Sequence, residues 1–153
     1  MKKNLIFVTG FLGAPIEETA RQLAEKNGWD FLSVDDEIQK TDGRSIMRIC
    51  MMMGEHEYRN KEYETLQNIA DSGRTGLVIC CSDGILHDDM SRAIIMENEL
   101  VIAGRDMTRE QLWENASKLE TSYHAFLHFG TEEERRKAFN DFYERQCQLF
   151  SSI

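Results

Sequence analysis

The sequence is short of several things, and each shortage removes a class of protein. It holds a single proline, Pro15, among 153 residues, and it has no internal repeat, low-complexity stretch or proline-rich linker. Its four cysteines, Cys50, Cys80, Cys81 and Cys147, show no CxxC spacing. Thiols buried in a reducing compartment are therefore expected, rather than a redox or zinc motif. No apolar run approaches the roughly 20 residues that span a membrane. After Met1-Lys2-Lys3 only six or so apolar residues precede Gly10 and Gly13, which is short for a secretory leader. A cytoplasmic location is expected. Lys and Arg form no basic block and the net charge is −9. Nucleic acid and anionic membranes are excluded as expected partners, because both are held mainly by clustered cations.

What is present alternates between strand and helix. Residues 4–9 (NLIFVT) read as a buried parallel strand. A helix follows from Pro15, which needs no N–H at a first helical position, and it stops near Asn27-Gly28. Residues 30–34 form a second strand, residues 35–39 a short helix, and Thr41-Asp42-Gly43 a turn. Residues 45–53 and 55–72 are helical. Core filling is the expected role of Met51, Met52 and Met53, with an adaptable binding surface as the alternative. Residues 76–81 (GLVICC) are a third strand and residues 87–98 a helix. Residues 99–103 (ELVIA) are a fourth strand. Residues 108–119 start with the capping-box spacing Thr108/Gln111, and residues 132–150 form a last charged helix. This order implies an α/β fold, one domain over residues 1–153, with a parallel sheet covered on both faces. Ligands of such sheets sit beyond the carboxyl ends of the strands.

The first strand–helix turn has the outline of a phosphate loop without its chemistry. A working loop reads GxxxxGK[ST]: its amides cradle phosphates, its lysine reaches the terminal ones and its hydroxyl holds magnesium. Here Gly10, Gly13 and Ala14 remain of the turn, Pro15 replaces the second glycine, Ile16 the lysine and Glu17 the hydroxyl residue, with Glu18 next. One cation is lost and two anions arrive. A unit charge at ~4 Å is worth roughly 1 kcal/mol in water and about 4 near a protein surface. The expected loss in nucleotide affinity is on the order of a thousandfold.

Taken in order, these segments resemble the shikimate kinase family over nearly the whole chain. GFLGAPIEE at residues 10–18 stands where the family has GFMGSGKST. FLSVDDEIQ at 31–39 matches FIDTDEEIE, DGRSIMRI at 42–49 matches a TGMSIxEIF-like stretch, and GEHEYRNKE at 54–62 matches GExxFRxxE. VICCSDG at 78–84 corresponds to a strand ending in GGG. Residues 100–114 resemble VVYLxxxxExLxxR, and ERQCQLF at 144–150 resembles ER-x-x-LY. The resemblance implies a three-layer P-loop kinase-like fold with strand order 2-3-1-4, lacking the family's last strand and helix. It leaves an uncovered edge at the fourth strand that invites dimerisation or a protein partner.

The resemblance also assigns a site. The acceptor pocket maps onto Asp35, Arg59, Glu62, Gly84 and Arg145, with two arginines to clamp a carboxylate and Asp35 to accept from a hydroxyl. In an active kinase Asp35 would be the base. Ser82 and Asp83 replace two glycines, and Asp83 adds an anion close to an anionic ligand. Ser33 replaces the aspartate associated with magnesium, and His124 falls roughly where the family's lid carries arginine. Plainer roles stay open: Arg59 and Glu62 as a surface i,i+3 ion pair, Asp35 as a helix N-cap, Arg145 paired with Asp141 or Glu144, and His124/His128 as metal ligands. The expected function is a shikimate-kinase-like protein with a dismantled phosphate loop. It would need no cofactor and would bind a small hydroxylated, shikimate-like carboxylate or a protein partner. The alternatives are an active kinase using ATP and Mg2+, and a scaffold acting through the open edge.

Overall fold

The computed structural model of the chain describes residues 4–120 and 122–153. Met1, Lys2 and Lys3, on which the leader expectation partly rests, lie outside them. Four strands, β1 (Leu5–Gly10), β2 (Asp30–Ser33), β3 (Leu77–Cys80) and β4 (Glu99–Ala103), form one sheet in the order β2-β3-β1-β4. Every neighbouring pair is parallel, as the expected order requires.

Alternation along the strands sorts the core into two layers. Ile6 and Val8 of β1, Val78 of β3 and Val101 of β4 face helix α1 (Ile16–Asn27), whose Ala20 and Ala24 let it lie close to the sheet. Leu5 and Phe7 of β1, Leu77 and Ile79 of β3, and Leu100 and Ile102 of β4 face the other way. That face is covered by α2 (Val34–Asp42), α3 (Ile46–Met53), α4 (Glu55–Asp71), α5 (Asp89–Ile95), α6 (Arg109–Ala116) and α7 (Glu132–Ser151). Parallel pairing leaves no room for tight hairpins, so each crossover carries helix, and both sheet faces become interior. Beyond β4 the described residues add no further strand.

Local signals set most boundaries. Gly28 takes a left-handed conformation, φ 66°, and its N–H caps α1. Thr108 and Gln111 form the expected capping box, and Thr131 and Glu134 form another at α7. The helix expected over 87–98 is instead a 3-10 turn, Ile85–His87, followed by α5. The break comes at Asp88, whose carboxylate accepts from the Ser91 N–H at 3.0 Å and starts a new helix. The residues expected as a turn, 41–42, are the last of α2, and Gly43 ends it.

The methionine run departs from expectation. Met51, Met52 and Met53 are 71%, 62% and 53% exposed. Helix α3 buries only Ile46 and Ile49. Met53 would return to that face, but Gly54 at φ 89° turns the chain away there. All four cysteines are free; Cys81 is buried and the others are half-buried.

The turn after β1 is held from outside by α7. Gln146, fully buried, accepts from the Leu12 N–H at 3.0 Å and donates to the Asp83 carbonyl at 2.8 Å and the Gly10 carbonyl at 3.4 Å. Replacing Gln146 with Leu strands the Leu12 N–H and the Asp83 carbonyl, at about 1–3 kcal/mol for each buried unpaired group. A loss of about 2–4 kcal/mol in urea unfolding is expected. A change below about 0.5 kcal/mol would show that the carboxamide is dispensable.

Candidate functional site at the carboxyl ends of the strands

The loops at residues 10–15 and 81–84 and the start of α2 meet beyond the carboxyl edge of the sheet. Thr9, at the end of β1, donates its hydroxyl to the Ser82 carbonyl at 2.7 Å and ties the first two together. Gly10 is required where β1 meets β4, since a Cβ there would lie 2.6 Å from the Ala103 carbonyl oxygen. Gly13, at φ 96°, lies flat on the backbone of α6 at Leu112.

The amides of this first loop are largely spent inside the protein. The Phe11 N–H donates to the Ala103 carbonyl at 3.1 Å, Leu12 to Gln146 at 3.0 Å, Ala14 to Phe11 at 2.9 Å and Ile16 to Ala14 at 2.9 Å. Pro15 has no N–H. The Gly13 carbonyl accepts from the Asn115 side chain at 3.0 Å. Helix α1 has no side-chain cap, and Glu17 and Glu18 occupy its first turn, where carboxylates offset the positive end of the dipole.

Of the five expected acceptor-side residues, the structure brings Arg59, Glu62 and Gly84 into direct association. Glu62 on α4 is fully buried and bound twice. It accepts from Arg59 Nη1 at 2.6 Å and from the Ser82 hydroxyl at 2.6 Å. Burial, the largest influence, raises the Glu62 pKa, while Arg59 and Ser82 favour its ionised form. The surface-pair reading of Arg59 and Glu62 is therefore overturned: helical i,i+3 spacing places the pair on the inward face of α4. The other terminal nitrogen of Arg59, Nη2, donates to the Tyr123 hydroxyl at 2.6 Å and reaches Glu55 at 3.3 Å. A Cβ at Gly84 would collide with the Arg59 guanidinium and the Tyr123 hydroxyl, so only glycine admits this packing.

Asp35 is held apart from this group. The N-cap of α2 is Ser33, whose hydroxyl accepts from the Asp36 N–H at 3.2 Å, and this corrects the reading of Asp35 as the cap. Asp35 instead accepts from the Tyr58 hydroxyl at 2.6 Å. Burial pushes its pKa up to about 6, against the pull of that hydrogen bond.

Of residues 122–124 the sequence points only to His124, yet Tyr123 beside it also shapes the site. Tyr123 donates its hydroxyl to Asp83 Oδ1 at 2.9 Å and stacks edge-on with Tyr58 at 5.0 Å. His124 is buried, with Nε2 2.7 Å from the same Asp83 oxygen. Asp83, expected to repel an anionic ligand, is turned to these partners, and although burial opposes it, His124 and Tyr123 hold its pKa below the usual carboxylate range. His124 thus braces the loop after β3 and does not project like a lid arginine. No group of three metal-ligating side chains includes His124 and His128 among the described residues.

Tyr123 lines two cavities. One, of about 680 Å3, holds Asp35, Asp36, Asp83 and Glu17 and no lysine or arginine in its lining. The other, of about 670 Å3, holds Arg59 and Arg145 with Phe126, Phe129 and Phe142. Arg145 is exposed, its guanidinium 5.4 Å from the Phe142 ring, and among the described residues it has no ion pair with Asp141 or Glu144. Gln146, beside it in sequence, was not singled out. Its only signal is a polar residue on the buried face of α7, with Phe139, Phe142 and Phe150.

A four-stranded parallel sheet of order 2-3-1-4, with a glycine turn leading from its central strand β1 into a helix, defines the P-loop kinase-like class of α/β proteins. The protein-family model for shikimate kinase matches residues 17–152, and the chain belongs to that family. It is similar to the shikimate kinase of Chlorobium limicola, with 34% identity over 99 residues, covering 65% of this chain and 49% of the relative. It is similar also to that of Prosthecochloris aestuarii, with 33% identity over 111 residues, covering 67% and 55%. The chain spans about half the length of the curated relatives it matches. Among solved structures, shikimate kinase from Acinetobacter baumannii in complex with shikimate superposes with a TM-score of 0.81 at 22% identity, covering 98% of this chain and 79% of that one. The Bacteroides thetaiotaomicron shikimate kinase gives 0.79 at 18%, covering 96% and 81%. These likenesses show the fold.

The raised Asp35 pKa carries a pH signature. Between about pH 4 and 6 the folded chain holds a proton there that the unfolded chain has released, so the Asp35 contribution to stability falls as pH rises through this window. Asp35→Asn keeps an acceptor for Tyr58 and removes the charge. A gain of about 1–2 kcal/mol is expected at pH 8 after discounting partial exposure, shrinking towards pH 4. Urea midpoints at several pH values test this, and a difference independent of pH contradicts it.

Proposed function

We propose that this chain is a shikimate kinase family member that does not transfer phosphate from ATP and that binds a small carboxylate, or a protein partner, on its acceptor side. One observation carries the reading: four amides of the loop region, those of Phe11, Leu12, Ala14 and Ile16, donate within the protein, and Pro15 has none to offer. Charge supports it further. The cavity beside the loop is lined by Glu17, Asp35, Asp36 and Asp83 and by no cation, and Ile16 stands in the lysine position. These residues do not fit a nucleoside triphosphate, because opening the loop would sacrifice buried hydrogen bonds and bring phosphate against carboxylates.

The acceptor side supports a ligand of the opposite kind. Arg145 and Arg59 share a cavity within the 300–1,000 Å3 range of small-molecule sites. The Acinetobacter baumannii protein is described with shikimate bound, and a shikimate-like acid is the family's precedent for an occupant here. The exposed methionines of α3 and the unpaired side of β4 are the surfaces on which a protein partner or a second copy would dock. An active kinase is the competing reading, favoured by the pKa of Asp35, about 6, which suits a general base.

Titration calorimetry with Mg-ATP separates the readings. No saturable binding below about 1 mM is expected, the cost of about 4 kcal/mol in binding being on the order of a thousandfold. The triple variant Pro15→Gly, Ile16→Lys, Glu17→Ser is expected to bind at least about tenfold more tightly than the native chain, as one cation returns and one anion leaves. Micromolar binding by the native chain, with phosphate transferred to shikimate, would sink the proposal.

A further inference from the structure

We propose that the ligand of the arginine cavity is a small carboxylate with an apolar, aromatic or branched body, rather than a polyhydroxylated acid. This rests on the reading that the acceptor side binds a carboxylate, and it names which kind. Three features of the cavity point the same way.

The first is that Asp35 and the arginines line different cavities. Tyr123 packs on both Tyr58 and Arg59, with the tyrosine rings 5.0 Å apart and its hydroxyl 2.6 Å from Nη2, while the guanidinium also lies 5.1 Å from the Tyr58 ring. Asp35, the group suited to accept from ligand hydroxyls, lines the other cavity and is engaged by Tyr58 at 2.6 Å. The arginine cavity keeps one carboxylate in its lining, Glu55, and that reaches Arg59 at 3.3 Å.

Secondly, most of the other polar groups around the cavity are already engaged, leaving the His87 ring and the Ser122 O–H for a ligand. The Tyr123 hydroxyl accepts from Arg59 and donates to Asp83, His124 Nε2 lies against Asp83, and His128 Nε2 lies 2.9 Å from the Ser122 carbonyl. A ring bearing several hydroxyls would leave most of them unpaired against Met47, Met51, Phe126, Phe129 and Phe142. Unpaired buried hydroxyls weaken binding, whereas an apolar ring gains from the same contacts. The methionines can reshape around such a body.

Lastly, the cation is free where the walls are apolar. The Arg59 guanidinium is consumed by Glu62, Ser82, Tyr123 and Glu55. Arg145 has no ion-pair partner among the described residues and stands over Phe142, with both side chains lining the cavity. A planar guanidinium beside aromatic rings suits a carboxylate carried on an apolar group.

The test uses the full chain with 3-phenylpropionate, 3-phenylpropionamide and shikimate, followed by calorimetry and by the methyl resonances of 13C-methionine. The acid is expected to bind at least about tenfold more tightly than shikimate and about tenfold more tightly than its amide. It should shift Met47 and Met51 but not Met90, which lies outside the cavity lining. Arg145→Ala is expected to remove about tenfold from the acid and leave the amide unchanged. Shikimate binding as tightly as 3-phenylpropionate overturns this inference and leaves the carboxylate-binding reading standing. Acid binding that ignores Arg145→Ala, or that leaves Met47 and Met51 unmoved, overturns the site. Binding of neither acid to the folded chain overturns both readings.

Discussion

The carboxamide of Gln146 is the point where three separate parts of the chain are fixed to one another. It accepts from Leu12 in the loop after β1 and donates to Asp83 in the loop after β3, while its own backbone belongs to α7. Each contact is made away from water, so none can be exchanged cheaply for hydration. The geometry at the carboxyl ends of the strands follows from this tie. The first loop is drawn inward onto α7 and lies flat on α6. The loop after β3 is set so that Asp83 faces His124 and Tyr123. That in turn places Tyr123 on Arg59.

The consequence is two neighbouring cavities that share Met47, Ser122 and Tyr123 in their walls. Asp35 stays on the side of the phosphate-loop remnant, among other carboxylates, and the arginines stay on the side of α3 and α7. The buried Arg59–Glu62 pair is built into this arrangement. Breaking such a pair by removing one partner leaves an uncompensated buried charge, so Arg59 is better viewed as part of the frame than as an open clamp. Arg145, exposed and unpaired among the described residues, is the cation left for a ligand.

Much of the fold was legible because its signals are local or periodic. The continuous apolar strands, the Gly28 stop of α1, the capping box at Thr108 and the expected sheet order all reappear. Resemblance names Arg59, Glu62 and Gly84 together, and the structure does bring these three into contact. What escaped depends on contacts distant in sequence. Nothing near Gln146 indicates that it will meet Leu12, and nothing near Tyr123 indicates that it will meet Asp83 and Arg59. The three methionines misled for a simpler reason. Apolar residues at the end of a short helix resemble core, and the turn at Gly54 carries them into solvent. A cap is one role the sequence leaves open for Asp35, since it follows a strand, but Ser33, two residues earlier, caps α2 and frees Asp35 for Tyr58.

The chain thus combines a family fold with a first loop most of whose amides are already satisfied from within. That is the central claim, and amide hydrogen exchange at Leu12 tests it most directly. Its N–H donates to a buried acceptor at 3.0 Å, so exchange as slow as that of Phe7 and Val78 in the core strands is expected, unchanged by millimolar Mg-ATP. Exchange of Leu12 as fast as in open surface loops, or protection that appears only when Mg-ATP is added, would contradict the account.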